Sequence, residues 1–207
     1  WSNDGPEVMA ALSLTNQSDI ARKLIVNYIE AAINEQGIHS WYLHSDGTGC
    51  YGKEGDVGCL SHGVPNIIHT LDFYIRNTGD KSILIEKSNK ITVYEKIRKY
   101  FYELFEMRDL DNDGLIEWRN LWETGWDDKL GCFFKTASLK DWMKMASSYS
   151  KEEIDDFYIK NSYPVISVVE QVYLRWAIIA MKKIALLMDD INTVNFCEDK
   201  YSLNEQN

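Results

Sequence analysis

Apolar residues recur along this chain at steps of three and four, the spacing that lays them along one side of an α-helix. In "SDIARKLIVNYIEAAINEQG" (18–37), Ile20, Leu24, Tyr28 and Ala32 form one such stripe. Ser18 is placed to cap its start and Gly37 to end it as a C′ residue. Over 60–75 the stripe is Leu60, Val64, Ile67, Ile68, Leu71 and Ile75. Thr92 and Glu95 have capping-box spacing ahead of Ile97, Phe101, Leu104 and Phe105. The stretch 165–189, after Pro164, is apolar almost all round and predicts a helix buried on more than one side. Glu170, Arg175, Lys182 and Lys183 interrupt it, which marks a buried helix and not a membrane span. No alternating run of strand length competes, so the fold class is all-α.

The predicted helices fall into pairs, 5–15 with 18–36 and 57–77 with 93–107. A less regular stretch at 137–147 leads to 165–189. Long polar loops, 37–56 and 108–136, lie between them, and loops of that length often carry function. The first helix of each pair follows an acid beside Trp or Gly, in "WSNDGP", "KEGDVG" and "TGWDDK". Stacked around an axis, such pairs would gather Asp4, Asp56 and Asp127 at one end, as in an α/α toroid. The plainer reading is that these acids cap helix N-termini, where their charge meets the helix dipole.

The stretch "RDLDNDGLIEWRNLWETGWDD" (108–128) carries the most chemistry. Asp109, Asp111, Asp113 and Gly114 match the first half of a calcium-binding EF-hand loop, with Ile116 at its apolar eighth position. The bidentate Glu of the twelfth position is replaced by Asn120, so calcium is a weak expectation. The alternative is a tight turn through Gly114, held by its own Asp and Asn side chains. Further on, carboxylates alternate with indoles: Glu117 with Trp118, Trp122 with Glu123, and Trp126 with Asp127 and Asp128. Indoles suit the apolar C–H faces of sugars and carboxylates accept from sugar hydroxyls. Cleaving a glycosidic bond needs one carboxylic acid to protonate the leaving oxygen and a second carboxylate for the water or nucleophile. A polar loop with core-packing tryptophans would hold the same parts.

Composition narrows the partners. The chain has 207 residues, enough for one domain with a substantial core, and is 45% hydrophobic and 26% charged. Its net charge of −10, with no offsetting basic cluster, disfavours nucleic acid and anionic membranes. Aromatic residues make up 13%, which leans mildly toward a stacking site. Cys50, Cys59, Cys132 and Cys197 form no C-x-x-C pair, and zinc would need them at unconventional spacings with His39, His44, His62 or His69. The chain opens on Trp1 without a signal-peptide pattern, so it reads as processed or as a piece of something longer.

"RDLDNDGLIEW…WETGWDD" resembles the D-x-D-G-L and E-S-G-W-D stretches of inverting (α/α)6-barrel glycosidases, the trehalase and mannosyl-oligosaccharide glucosidase type. The resemblance implies that Asp127 is the general acid. "NDGPEVMAALSL…DIARKLIVNYIEAAINEQGIHSWYLHSDGTG" and "FYIRNTGDKSIL" are similar to cellobiose phosphorylases and their relatives, whose acid would fall nearer Asp128. E-T-G-W-D matches more positions and favours Asp127. Six helix pairs make such a toroid and this chain supplies about three, so it reads as about half of the barrel. No partner carboxylate is evident in it, and a C-terminal half or a second chain would complete the site.

The expected site is therefore Asp127 as catalytic acid with Trp1, Asp4, Trp41, Asp56, Trp122, Glu123, Trp126 and Asp128 around an oligosaccharide. Tyr42, His44 and Asp46 share the loop of Trp41, while His62 and His69 share a helix face and read as core or inter-helix hydrogen-bonding residues. No cofactor is implied beyond weak calcium at Asp109, Asp111 and Asp113. The expected function is an inverting glycosidase. The alternatives are a glycoside phosphorylase of the same fold and a non-catalytic sugar- or calcium-binding helical module.

Overall fold

A computed structural model of the chain describes residues 4–40, 43, 47, 65–88, 90–109, 111–117, 166 and 168–206. Among them are six α-helices: α1 (Asp4–Ser13), α2 (Ser18–Ala32), α3 (Asn66–Thr78), α4 (Val93–Arg108), α5 (Val168–Leu187) and α6 (Ile191–Gln206). A 3-10 turn, Lys81–Ile85, and an antiparallel pair of two-residue strands, β1 (Lys87–Ser88) and β2 (Ile91–Thr92), join α3 to α4. The chain is all-α, and no described helix is long and apolar enough to cross a membrane.

The helices stack with a fixed register. Thr70 of α3 donates to the Pro6 carbonyl of α1 at 3.0 Å and Asn77 to the Ser13 hydroxyl at 3.2 Å, both pairs 64 residues apart. A constant separation along two helices means that they run parallel; in antiparallel packing the sum of the numbers would be constant. The same test makes α2 and α4 parallel, since Lys96 Nζ donates to the Glu30 carbonyl and Lys99 Nζ to that of Glu35, 66 and 64 residues apart. Arg98–Asp190, Tyr102–Thr193 and Asp109–Lys200 do so for α4 and α6, at 92, 91 and 91. Helix α3 packs between α1 and α5, and α2 packs on α1, α3 and α4. Short links, 14–17 and 188–190, fold α2 back on α1 and α6 back on α5. One end of the stack thus gathers the starts of α1, α3 and α5 and the ends of α2, α4 and α6.

Local chemistry explains most boundaries. The capping box is present: Thr92 Oγ1 accepts from the Glu95 N–H while the Glu95 carboxylate accepts from the Thr92 N–H at 2.7 Å. Ile97, Phe101, Leu104 and Phe105 are buried as their spacing predicts, and so are Ile67, Ile68, Leu71 and Ile75. The "TGDKSIL" junction also has a physical basis. Gly79 ends α3 at φ +75°, Asp80 caps the 3-10 turn through the Ser82 N–H, and Ile83 and Leu84 drop into the core. Asp80 Oδ2 also accepts from Arg22 Nε of α2 and from the Tyr74 hydroxyl, each at 2.9 Å.

Three expectations need correction. The buried face of α2 is Ala21, Ile25, Val26, Ile29 and Ala32, while Ile20 and Leu24 are exposed. Apolar residues cover more than half of this helix, and the neighbours decide which side is covered. Ser18 is the first helical residue, not the cap, and Gly37 lies beyond α2 in a turn closed by a bridge between Ile33 and His39. Gly37 has φ +87° there and lies against α4, where a Cβ would meet Glu103 Cγ at 2.8 Å. Residues 197–206, a polar stretch, form the later part of α6. Its helix rests on packing, with Phe196 against Phe101, Tyr102 and Phe105, and on Asp190 at its start.

Asp190 is a small hub. Its carboxylate accepts from the Thr193 N–H, the Thr193 hydroxyl, the Tyr94 hydroxyl at 2.8 Å and Arg98 Nη1 at 2.9 Å. Burial pushes this carboxyl up, but the bonds from Tyr94, Arg98 and Thr193 together outweigh it and hold the group well below the ordinary carboxylate range. A depressed folded value stabilises the fold above the unfolded value, about 3.9, and the contribution fades as pH falls below it. Asp190→Asn is expected to lower stability at pH 7 by about 2 kcal/mol. In urea unfolding, the gap to the native protein should narrow at pH 3.

Candidate functional site

The end of the stack that gathers the starts of α1, α3 and α5 holds the described part of the acidic motif. Helix α4 ends at Arg108, and the Asp109 N–H closes its last turn on the Phe105 carbonyl at 2.9 Å. The chain then turns through Asn112 at φ +60° and Gly114 at φ +84°. The Leu115 N–H donates to Asp113 Oδ1 at 2.8 Å and the Gly114 N–H to Asp109 Oδ1 at 3.3 Å. These are the side-chain-to-backbone bonds of a tight acidic turn. The turn returns to its start where the Glu117 N–H meets the Arg108 carbonyl at 2.9 Å. Gln171 of α5 brackets Ile116, accepting from its N–H at 3.2 Å and donating to its carbonyl at 2.9 Å. Ile116 and Glu117 are both buried.

The three aspartates meet: one carboxylate oxygen from each of Asp109, Asp111 and Asp113 lies within 4.8 Å of the others. Asp109 is fully buried, Asp113 half-buried and Asp111 exposed. The positive charge at Asp109 comes from α6, whose Lys200 Nζ stands 2.5 Å from Oδ2. Gly114 also has a reason of its own. A Cβ there would meet Leu203 Cβ at 2.6 Å and the Asn204 nitrogen at 3.0 Å, so α6 presses directly on the turn. Asp109 and Gly114 of the D-x-D-x-D-G pattern thus serve a contact between α4 and α6. A calcium ion needs six to eight oxygens, and both oxygens of Asp109 are engaged.

Asp4 opens α1 at this same end. The other expected site residues, Trp1, Trp41, Asp56, Trp122, Glu123, Trp126, Asp127 and Asp128, lie outside the described residues, as do Tyr42, His44, Asp46 and His62. Glu117 is the last described residue before the segment that holds Asp127, and α5 resumes at the same end. Sequence reasoning missed Lys200 and Gln171, polar residues on helices that no motif includes; their roles depend on which helix lies opposite. His69 makes an inter-helix contact and is not fully in the core. It is half-buried and stacks on the exposed Trp176 of α5, with ring centroids 5.9 Å apart. Cys197 is fully buried, and burial pushes its thiol up to about 12, so it stays protonated.

Lys200→Met leaves the buried Asp109 charge without its partner and is expected to lower stability by about 3 kcal/mol in denaturant unfolding. Calcium at about 1 mM, the level at which weak sites fill, is expected to leave the native thermal midpoint unmoved. A rise of several degrees would mean that the carboxylates bind the ion despite Lys200.

Neither a protein-family model nor a curated protein sequence matches the chain. Solved structures do. A conserved protein of uncharacterized function from Thermus thermophilus matches with a TM-score of 0.71 at 14% identity, over 99% of this chain and 55% of that one. A GH63 mannosylglycerate hydrolase from the same organism, solved in complex with glucose, matches with a TM-score of 0.70 at 13% identity, over 99% of this chain and 57% of that one. The chain spans about half the length of these proteins, and its fold is similar to that of part of a glycoside hydrolase.

Proposed function

We propose that this chain is the acid-bearing part of an inverting glycoside hydrolase of the α/α toroid type, with Asp127 as general acid. The observation that supports this reading best is the coincidence of two independent likenesses. The fold follows a GH63 mannosylglycerate hydrolase along nearly the whole chain. The E-T-G-W-D stretch sits in the segment between α4 and α5, whose described flanks, Glu117 and Gln171, belong to the end that gathers the starts of α1, α3 and α5.

In this reading Asp127, protonated beside Trp126, gives its proton to the glycosidic oxygen as the bond to the anomeric carbon breaks. A second carboxylate takes a proton from water, which attacks the opposite face of the sugar and inverts the anomer. The two carboxyl groups of an inverting enzyme stand about 6.5–9.5 Å apart, leaving room for that water. The base belongs to a further part of the barrel, from continuing polypeptide or a second chain. Trp122, Trp126 and Trp41 supply stacking faces, while Glu123, Asp128, Asp56 and Asp4 accept from hydroxyls. A phosphorylase of the same fold is the second reading, favoured by the T-G-D-x-x-I-L junction.

The test, run on the chain together with the part of the barrel that supplies the base, is product release from α- and β-linked gluco- and manno-oligosaccharides, with mannosylglycerate included, with and without phosphate. Asp127→Asn is expected to lower release at least about 100-fold, as loss of a general acid does. NMR of the first product should show the inverted anomer. Release unchanged in Asp127→Asn would move the acid elsewhere, and release that requires phosphate would establish phosphorolysis.

A further inference from the structure

Away from the acidic turn, α3 and α5 share a patch of rings close to the same end of the stack. His69 lies in the first turn of α3, with Phe73 one turn on and 6.3 Å from it between centroids. Trp176 of α5 stacks on His69 at an interplanar angle of 29°, and Tyr173 meets the indole edge-on at 5.5 Å. Trp176 is 48% exposed and Tyr173 38% exposed, although both sit on a helix whose other face is core. An open pocket of about 290 Å³ lies beside the indole, and its lining includes His69, Asp72, Arg76, Trp176 and Lys183.

The polar members of that pocket argue for one kind of occupant. Asp72 is buried, accepts from Arg76 Nε at 2.9 Å and stands 4.0 Å from Lys183 Nζ. A further helix laid over the rings would have to desolvate a carboxylate, a guanidinium and an ammonium together. A pyranose ring needs no such sacrifice. Its C–H face suits an exposed indole, and its hydroxyls donate to a carboxylate and accept from guanidinium and ammonium groups. Burial lowers the pKa of His69 against the pull of Asp72, which favours a neutral imidazole that can both donate and accept. Pockets for drug-sized molecules run from about 300 Å³ upward, so this one has room for about one ring.

We propose that Trp176 and His69, with Asp72, Arg76 and Lys183, form a sugar-binding subsite that takes one pyranose ring against the indole. The proposal rests on the reading of the chain as part of a glycosidase and names where along the stack one substrate ring lies. Trp176 and Lys183 act here in binding, apart from the acid.

The probes are D-glucose and methyl α-D-mannopyranoside, titrated into this chain while the indole N–H NMR signals are followed. The Trp176 signal is identified by its loss in Trp176→Phe. At least one sugar is expected to shift that signal saturably at millimolar concentration. Trp176→Ala should weaken binding about tenfold, the factor one stacking contact supports. Lys183→Ala, at an exposed position, should weaken it severalfold with the thermal midpoint unchanged. Asp127→Asn should leave the shift intact. A Trp176 signal that no sugar moves overturns the proposal, as does one that follows protein concentration instead of sugar, the mark of a patch covered by a second copy. A saturable shift without cleavage of any oligosaccharide by the chain joined to the part that supplies the base would sink the hydrolase reading and leave the subsite standing. Cleavage without the shift would do the reverse.

Discussion

Two carboxylates, the buried Asp109 and the half-buried Asp190, hold α6 on α4, one at each end, and the register of the outer helices depends on them. Asp190 receives Tyr94 and Arg98 at the start of α6, and Asp109 receives Lys200 near its end. Between these clasps Phe196 fits among Phe101, Tyr102 and Phe105. Apolar packing alone tolerates sliding by a helical turn, whereas a charge-assisted bond at 2.5–2.9 Å at both ends does not. Loss of Lys200 would strand the buried Asp109 charge away from water, a larger cost than a surface ion pair could impose.

That register has a consequence for function. Because α1, α3 and α5 run parallel, their starts and the ends of α2, α4 and α6 emerge together. The connections at the opposite end are short and make local bonds, with Asp80 capping the 3-10 turn and Thr92 capping α4. The long, chemically rich segments therefore leave from one end, where the acidic turn and the nearby aromatic patch also lie. The fold of this stack is similar to about half of a GH63 mannosylglycerate hydrolase chain.

Legibility from sequence followed how local the deciding physics was. The capping box at Thr92 and Glu95 and the buried stripe of α4 were readable, because each depends on residues within a turn or two. The buried side of α2 was not, since its apolar residues exceed one face and the neighbours choose. Nor was α6, whose sequence has few apolar positions and whose helix depends on α4 and α5. At the candidate site the acidic turn was legible as a cluster, and the lysine that neutralises it, about 90 residues away, was not.

What the sequence determined by itself was the all-α class and the positions of most helices. Periodicity, caps and residue types are local properties, and they need no partner to be read. Tertiary structure decided which helix faces are covered, that the D-x-D-x-D-G turn is closed by Lys200, and that His69 meets Trp176 in the open. Those outcomes depend on which side chains from distant parts of the chain share a few cubic ångströms, and only the packed register of parallel helices sets that.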